Sequence, residues 1–160
     1  MRQQRTDEIG REAHVPNPAL KALAFLVGTW RTEGTHPALP DKTFHGRTVF
    51  EWSYGGAFLV MRSEIDEPEI PSGIAIFASD AANGPWSMLY FDERGVSRRY
   101  VVTVGPNELH CVLDDPAFSQ TREFAKGPDG NVLSSRGRYR EHSGEWQEDL
   151  TLIYRREEST

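Results

Sequence analysis

The sequence has a single cysteine, Cys111, so no intrachain disulfide can form and a secreted disulfide scaffold is excluded. It has no apolar run approaching the roughly 18 residues that a membrane-spanning helix needs. The opening stretch MRQQRTDEIGREAHVP is charged and carries no apolar core segment, which argues against a signal peptide. A basic stripe is missing too. The net charge is −6, the isoelectric point is near 5.4, and the arginines of the second half are interleaved with acids. Such a surface repels a phosphate backbone, so nucleic acid is not expected as a partner. No catalytic signature is present either: no G-x-S-x-G, no H-E-x-x-H, no C-x-x-C and no phosphate-cradling glycine loop. The expectation is a cytoplasmic globular protein with no membrane span.

With 160 residues, 38% hydrophobic and 26% charged, the chain is long enough for one domain with a real core. Residues 1–16 read as a flexible polar lead-in and residues 17–157 as the domain. Asn17 and Pro18 make a helix start, an N-cap followed by proline at the first helical position. Leu20, Leu23, Ala24 and Val27 follow at helical spacing and predict a short amphipathic helix. Gly28 reads as the left-handed residue that ends it.

From Thr29 the period changes to two. Thr29–Thr35, TFHGRTVFEWSYGG, AFLVMRSEID, GIAIFAS, WSMLYFDE, SRRYVVTV, ELHCVLDD, FSQTREFA, NVLSSRGRYRE and EWQEDLTLIYRR read as strands. Turn clusters such as DEPEIPSG, DAANGP and KGPDGN separate them, and Gly55-Gly56 reads as a two-residue hairpin turn. About ten antiparallel strands on short loops predict an all-β fold, a single up-and-down β-barrel with the helix plugging one end. A β-sandwich is the rival; it needs a long crossover, for which only 36–43 and 66–72 offer room. Trp30 is placed at the barrel floor against the helix, with its indole N–H bonded there.

The G-T-W element at 28–30, after a helix and before the strands, resembles the calycin architecture of lipocalins, fatty-acid-binding proteins and nitrobindin-like haem proteins. More specific are Tyr90, Asp92, Arg94, Gly95, Val96, Arg98 and Tyr100, then Phe118 and Gln120, then Asp129-Gly130, then Trp146, Asp149, Tyr154 and Arg156. That pattern is similar to a group of small bacterial calycin-like proteins, over roughly residues 20–156. One departure is Thr121, where the pattern has arginine, with Arg122 beside it on the opposite strand face. The resemblance implies the barrel and no particular activity. Its lipocalin side implies Arg155 or Arg156 stacked over Trp30. Its nitrobindin side implies a haem held by a histidine on the last strand. Residues 145–156 contain none, with Glu148, Asp149 and Thr151 in that region, so no cofactor is expected.

His14, His36, His45, His110 and His142 are scattered without metal-ligand spacing, and no metal site is expected. The strand carboxylates Glu51, Glu64, Asp92, Glu123, Glu148 and Asp149 read as outward and solvated. More informative are polar residues on otherwise apolar faces. Asp92 shares a face with Trp86, Met88 and Tyr90, and Arg98 shares one with Tyr100, Val102 and Val104. Gln120 and Arg122 lie with Phe118 and Phe124, while Ser134, Arg136, Arg138 and Arg140 lie with Val132. A buried arginine must be paired or meet an anion. Two readings stay open: an internal network through Asp92 or Glu148, or a pocket. In the pocket, Arg122 or Arg138, with Tyr90 or Tyr100, receives an anionic head while Trp52, Met61 and Trp86 hold an apolar body. With Gln120 added, these eight are the candidate ligand-binding residues.

The functional expectation is therefore non-catalytic binding of a small, mainly apolar or amphipathic molecule in the lumen of a monomer or homodimer. The alternatives are a nitrobindin-like haem protein acting on nitrogen oxides, a lumen isomerase, hydrolase or cyclase using Tyr90, Asp92 or His110, and a scaffold with a filled barrel.

Overall fold

A computed structural model describes residues 15–79 and 85–158. Residues 1–14 of the expected lead-in, His14 among them, and residues 80–84 of the DAANGP turn lie outside the described residues. Ten strands follow one short helix: β1 (Gly28–Thr35), β2 (Phe44–Ser53), β3 (Phe58–Ile65), β4 (Gly73–Ser79), β5 (Trp86–Asp92), β6 (Ser97–Gly105), β7 (Glu108–Leu113), β8 (Phe118–Lys126), β9 (Val132–Glu141) and β10 (Gln147–Arg156). Each strand pairs antiparallel with the next, and β1 closes the ring on β10, with Trp30 opposite Arg156 and Thr35 opposite Thr151. The segments 36–43 and 66–72 join neighbouring strands, so the sandwich alternative is excluded. The closed ring leaves no open sheet edge.

The helix differs in kind from the expected one. Pro18–Leu26 is a 3₁₀ helix, and its buried leucines, Leu20, Leu23 and Leu26, recur every third residue. That three-residue repeat lines one face, and Ala24 is left exposed. Asn17 caps it as expected, accepting from the Ala19 N–H at 3.0 Å. The same side chain donates to the Ser79 carbonyl at 2.9 Å, and the Asn17 backbone N–H donates to Gly56 O, tying the helix to the end of β4 and the β2–β3 turn. Gly28 does not end the helix. It opens β1 at φ +141°, and a Cβ there would run into Nη1 of Arg156. Gly55-Gly56 is likewise not a two-residue turn: Tyr54, Gly55 and Gly56 all adopt positive φ, and the connection runs from 54 to 57.

Alternation fills the barrel unevenly. At the helix end, called the floor, Leu20, Leu23, Leu26, Trp30, Phe50, Phe77 and Phe124 are fully or almost fully buried. Phe50 lies 6.4 Å, centroid to centroid, from both Phe77 and Phe124, and Tyr154 stacks on Phe124 at 6.2 Å. The Trp30 indole N–H donates to the Leu26 carbonyl at 2.8 Å. The Arg156 guanidinium lies 4.2 Å above its ring and donates to the Val27 carbonyl at 2.7 Å. Arg155 faces outward, 3.2 Å from Glu33. Floor, helix and last strand are thus pinned at one indole. Trp52, on the same sheet face but at the lower rim, is 37% exposed where Trp30 is 0%. Truncating Trp30 to alanine is therefore expected to cost about 3–5 kcal/mol of unfolding free energy by urea titration, and Trp52→Ala less than about 1 kcal/mol.

Candidate functional site

Above the aromatic floor the interior is not filled. A cavity of about 380 Å³ opens towards the mouth, the end opposite the helix. Its apolar wall includes Met61, Ile65, Ile70, Met88 and Leu152; Tyr90, Arg98, Tyr100, Gln120, Arg122 and Asp149 bring polar groups to it. The loops 36–43 and 66–72 edge the mouth through His36, Leu39 and Ile70, and a 2.8 Å ion pair between Lys42 and Glu67 joins them.

Of the eight residues singled out by sequence, Met61, Tyr90, Tyr100, Gln120 and Arg122 line this cavity. Three do not. Trp52 stands at the lower rim. Trp86 is at the floor, its indole N–H donating to the Ala19 carbonyl at 2.9 Å, where it seals the helix against the barrel. Arg138 faces outside, because the β8–β9 register turns Ser135 and Gly137 inward and Arg136 and Arg138 outward. Arg136 and Arg138 both pair there with Glu148.

Arg122 points into the lumen, and three local features accommodate it. Gly137 faces it across the β8–β9 pair, and a Cβ at that position would collide with the guanidinium. Ser135 Oγ accepts from Nη1 at 2.7 Å. The Leu150 carbonyl accepts from Nη1 and Nη2 at 3.3 Å. That carbonyl is presented by a β-bulge: Glu148 faces Arg138 and Thr151 faces Arg136, so β10 has one residue more than β9 between them. The bulge also overturns the expected direction of Asp149. Strict alternation back from Tyr154 and Leu152 would send Glu148 in and Asp149 out; the extra residue reverses both.

Asp149 thereby becomes the hub of a chain. Its Oδ1 accepts from His36 Nε2 at 3.1 Å and its Oδ2 from Gln120 Nε2 at 2.7 Å. The Gln120 Oε1 in turn accepts from the Tyr100 hydroxyl in a short bond and from Arg98 Nη1 at 3.4 Å. Arg98 also lies 4.5 Å over the Phe118 ring. His36, one of the scattered histidines, is half-buried at the mouth, and His45 is exposed. His110 sits on the outer wall between Glu108 and Glu123, away from Tyr90 and Asp92.

A second cluster closes the β5–β6 turn. Asp92, also expected outward, is buried. It accepts from the Tyr90 hydroxyl at 2.7 Å, from the Arg94 backbone N–H at 2.9 Å and from its guanidinium at 2.7 Å. Burial alone would push this carboxyl up; the bonds from Arg94 and Tyr90 outweigh it and hold Asp92 at about 2. Burial raises the Tyr90 and Tyr100 hydroxyls above the usual phenol range and lifts the Cys111 thiol to about 12. Neither the phenols nor the thiol is ionised near neutral pH.

The residues present do not fit a haem of the kind the resemblance implies. β10 carries no histidine, and among the described residues the imidazole that lines the cavity is that of His36. Both its nitrogens are engaged: Nδ1 accepts from the Ala38 N–H at 3.0 Å and Nε2 bonds Asp149.

No family model and no curated protein matches the sequence. Among solved structures, the chain is similar to Rv2717c from M. tuberculosis, at 18% identity over 88% of this chain and 98% of that one, with a TM-score of 0.64. A redesigned beta barrel matches at 13% identity over 86% of this chain and 96% of its own, with a TM-score of 0.46. At such identities the likeness to Rv2717c is one of fold.

The depressed Asp92 value makes stability pH-dependent with a definite sign. Its contribution is full above the unfolded value of 3.8 and is lost as pH falls through about 2. Asp92→Asn is expected to lower unfolding free energy by about 1–2 kcal/mol at pH 7, since the half-exposed Arg94 is partly screened. Denaturation curves of the two proteins should converge as the pH approaches 2.

Proposed function

We propose that this barrel reversibly binds a small amphipathic molecule in its upper lumen, apolar body against Met61, Ile65, Met88 and Leu152, anionic head towards Arg98 and Arg122, without converting it. One observation carries the reading. Arg98 and Arg122 face a cavity, and neither enters an ion pair among the described residues; their partners are an amide oxygen, a hydroxyl, a carbonyl and a ring. Half-buried guanidinium groups with no direct ion pair keep donors for an anion, which would meet charge-assisted hydrogen bonds at that point. The network reading holds for Arg94 with Asp92 and, on the outside, for Arg136 and Arg138 with Glu148. It does not discharge the two lumen arginines. Asp149, the nearby carboxylate, bonds His36 and Gln120 and neither arginine.

Apolar walls with a few convergent polar groups are the usual composition of a small-molecule pocket. A protonated thiol, protonated phenols and a doubly engaged imidazole offer no activated nucleophile, which favours binding over covalent catalysis. The helical floor and the Arg156–Trp30 stack support the calycin-like placement suggested by the sequence.

Titration calorimetry with octanoate, octanol and octylammonium tests the reading. Octanoate is expected to bind tightest, by about tenfold over octanol, as charge-assisted hydrogen bonds to a guanidinium warrant. Arg122→Gln should weaken octanoate by about tenfold and leave octanol unchanged. Equal binding of octanoate and octanol would remove the anionic head from the proposal. Failure of all three ligands to bind would overturn it.

A further inference from the structure

We propose that the head group taken by this lumen is bifunctional: an oxyanion accompanied by a hydrogen-bond donor, as in an acid bearing a hydroxyl on the carbon next to the carboxylate or one further. The inference rests on the anionic-head reading above and refines it. It follows from the directions of the hydrogen bonds around Asp149.

An ionised carboxylate only accepts. The His36 Nδ1 already accepts from the Ala38 N–H, so the ring hydrogen is on Nε2 and is given to Asp149 Oδ1. The second oxygen, Oδ2, takes the Gln120 amide N–H, which turns the Gln120 carbonyl towards Tyr100 and Arg98. A flipped amide would set its oxygen against the carboxylate and its NH₂ against a guanidinium. An amide oxygen has no hydrogen to give, so the Tyr100 hydroxyl must be the donor in its bond with Gln120. That hydrogen is consumed.

The other phenols near the mouth are in the same position. Tyr90 gives its hydrogen to Asp92 at 2.7 Å, and Tyr139 gives its own to Gln147 Oε1 at 3.1 Å. All three rings line the cavity, and each phenol oxygen retains acceptor capacity. Burial keeps the Tyr90 and Tyr100 hydrogens in place by disfavouring ionisation. The polar end of the lumen therefore presents donors from Arg98 and Arg122 and acceptors from phenol oxygens. Arg98 and Tyr100 are neighbours, since both bond Gln120 Oε1. A bare carboxylate on Arg98 would set its lone pairs against those of Tyr100. A hydroxyl beside the carboxylate relieves that clash by donating to the phenol oxygen while the carboxylate keeps the guanidinium.

The experiment compares octanoate with 2-hydroxyoctanoate and 3-hydroxyoctanoate by titration calorimetry on the intact chain. One of the hydroxy acids is expected to bind about five- to tenfold tighter than octanoate, the worth of one hydrogen bond. Tyr100→Phe removes the acceptor and should bring the two acids to within about twofold. Gln120→Met frees the phenol hydrogen to point into the lumen, so octanoate should tighten and the advantage of the hydroxyl should vanish. Octanoate binding as well as both hydroxy acids overturns this inference while leaving the anionic head standing. A hydroxyl preference that survives both variants overturns it as well, because Tyr100 would not be its source. If no acid binds at all, the parent reading has failed, and this one with it.

Discussion

Closing ten strands into a ring removes the exposed edges of the sheet but leaves an interior that must be occupied by side chains or by something else. In this chain the helix end is packed solid with aromatic and aliphatic side chains. Trp30, Phe50, Phe77 and Phe124, with the three helix leucines beneath them, fill the floor. Towards the mouth the inward positions hold Met61, Ser63, Tyr90, Arg98, Gln120 and Arg122, which are flexible, small or polar. The division of the lumen into a packed half and an open half is what every other property of the site depends on. The floor supplies the rigidity against which the upper walls can afford a hollow.

The polar half is organised by backbone as much as by side chains. One extra residue in β10 turns Asp149 inward and exposes the Leu150 carbonyl. One missing side chain in β9, at Gly137, gives the Arg122 guanidinium somewhere to lie. Through Gln120, Asp149 then fixes which way the hydrogen bonds of Tyr100 run. A single insertion in one strand thus propagates through two side chains to decide whether a phenol gives or receives.

The sequence pattern carries the architecture well, for a physical reason: period-two alternation and glycine-rich turns are local, and local order is what a single sequence displays. It placed Trp30 against the helix, assigned the stacking arginine to the last strand, and put Gln120 and Arg122 on the face of Phe124. What it misread depends on register. Arg138 and Arg122 look equivalent until the β8–β9 pairing turns one out and the other in. Asp149 looks outward until the bulge is known, because an inserted residue inverts every side chain beyond it. Trp52 and Trp86 lie on the inward face but at the level of the floor, and a face says nothing about height along the barrel axis. His36 becomes a lumen residue only through Asp149, 113 positions later.

Gly137 and Arg122 are, in consequence, a coupled pair. A side chain at 137 would meet the far end of the guanidinium and oblige Arg122 to shift from its bonds with Ser135 and Leu150. What the glycine supplies is room, so the reach of the charge into the lumen is set on the neighbouring strand rather than on its own.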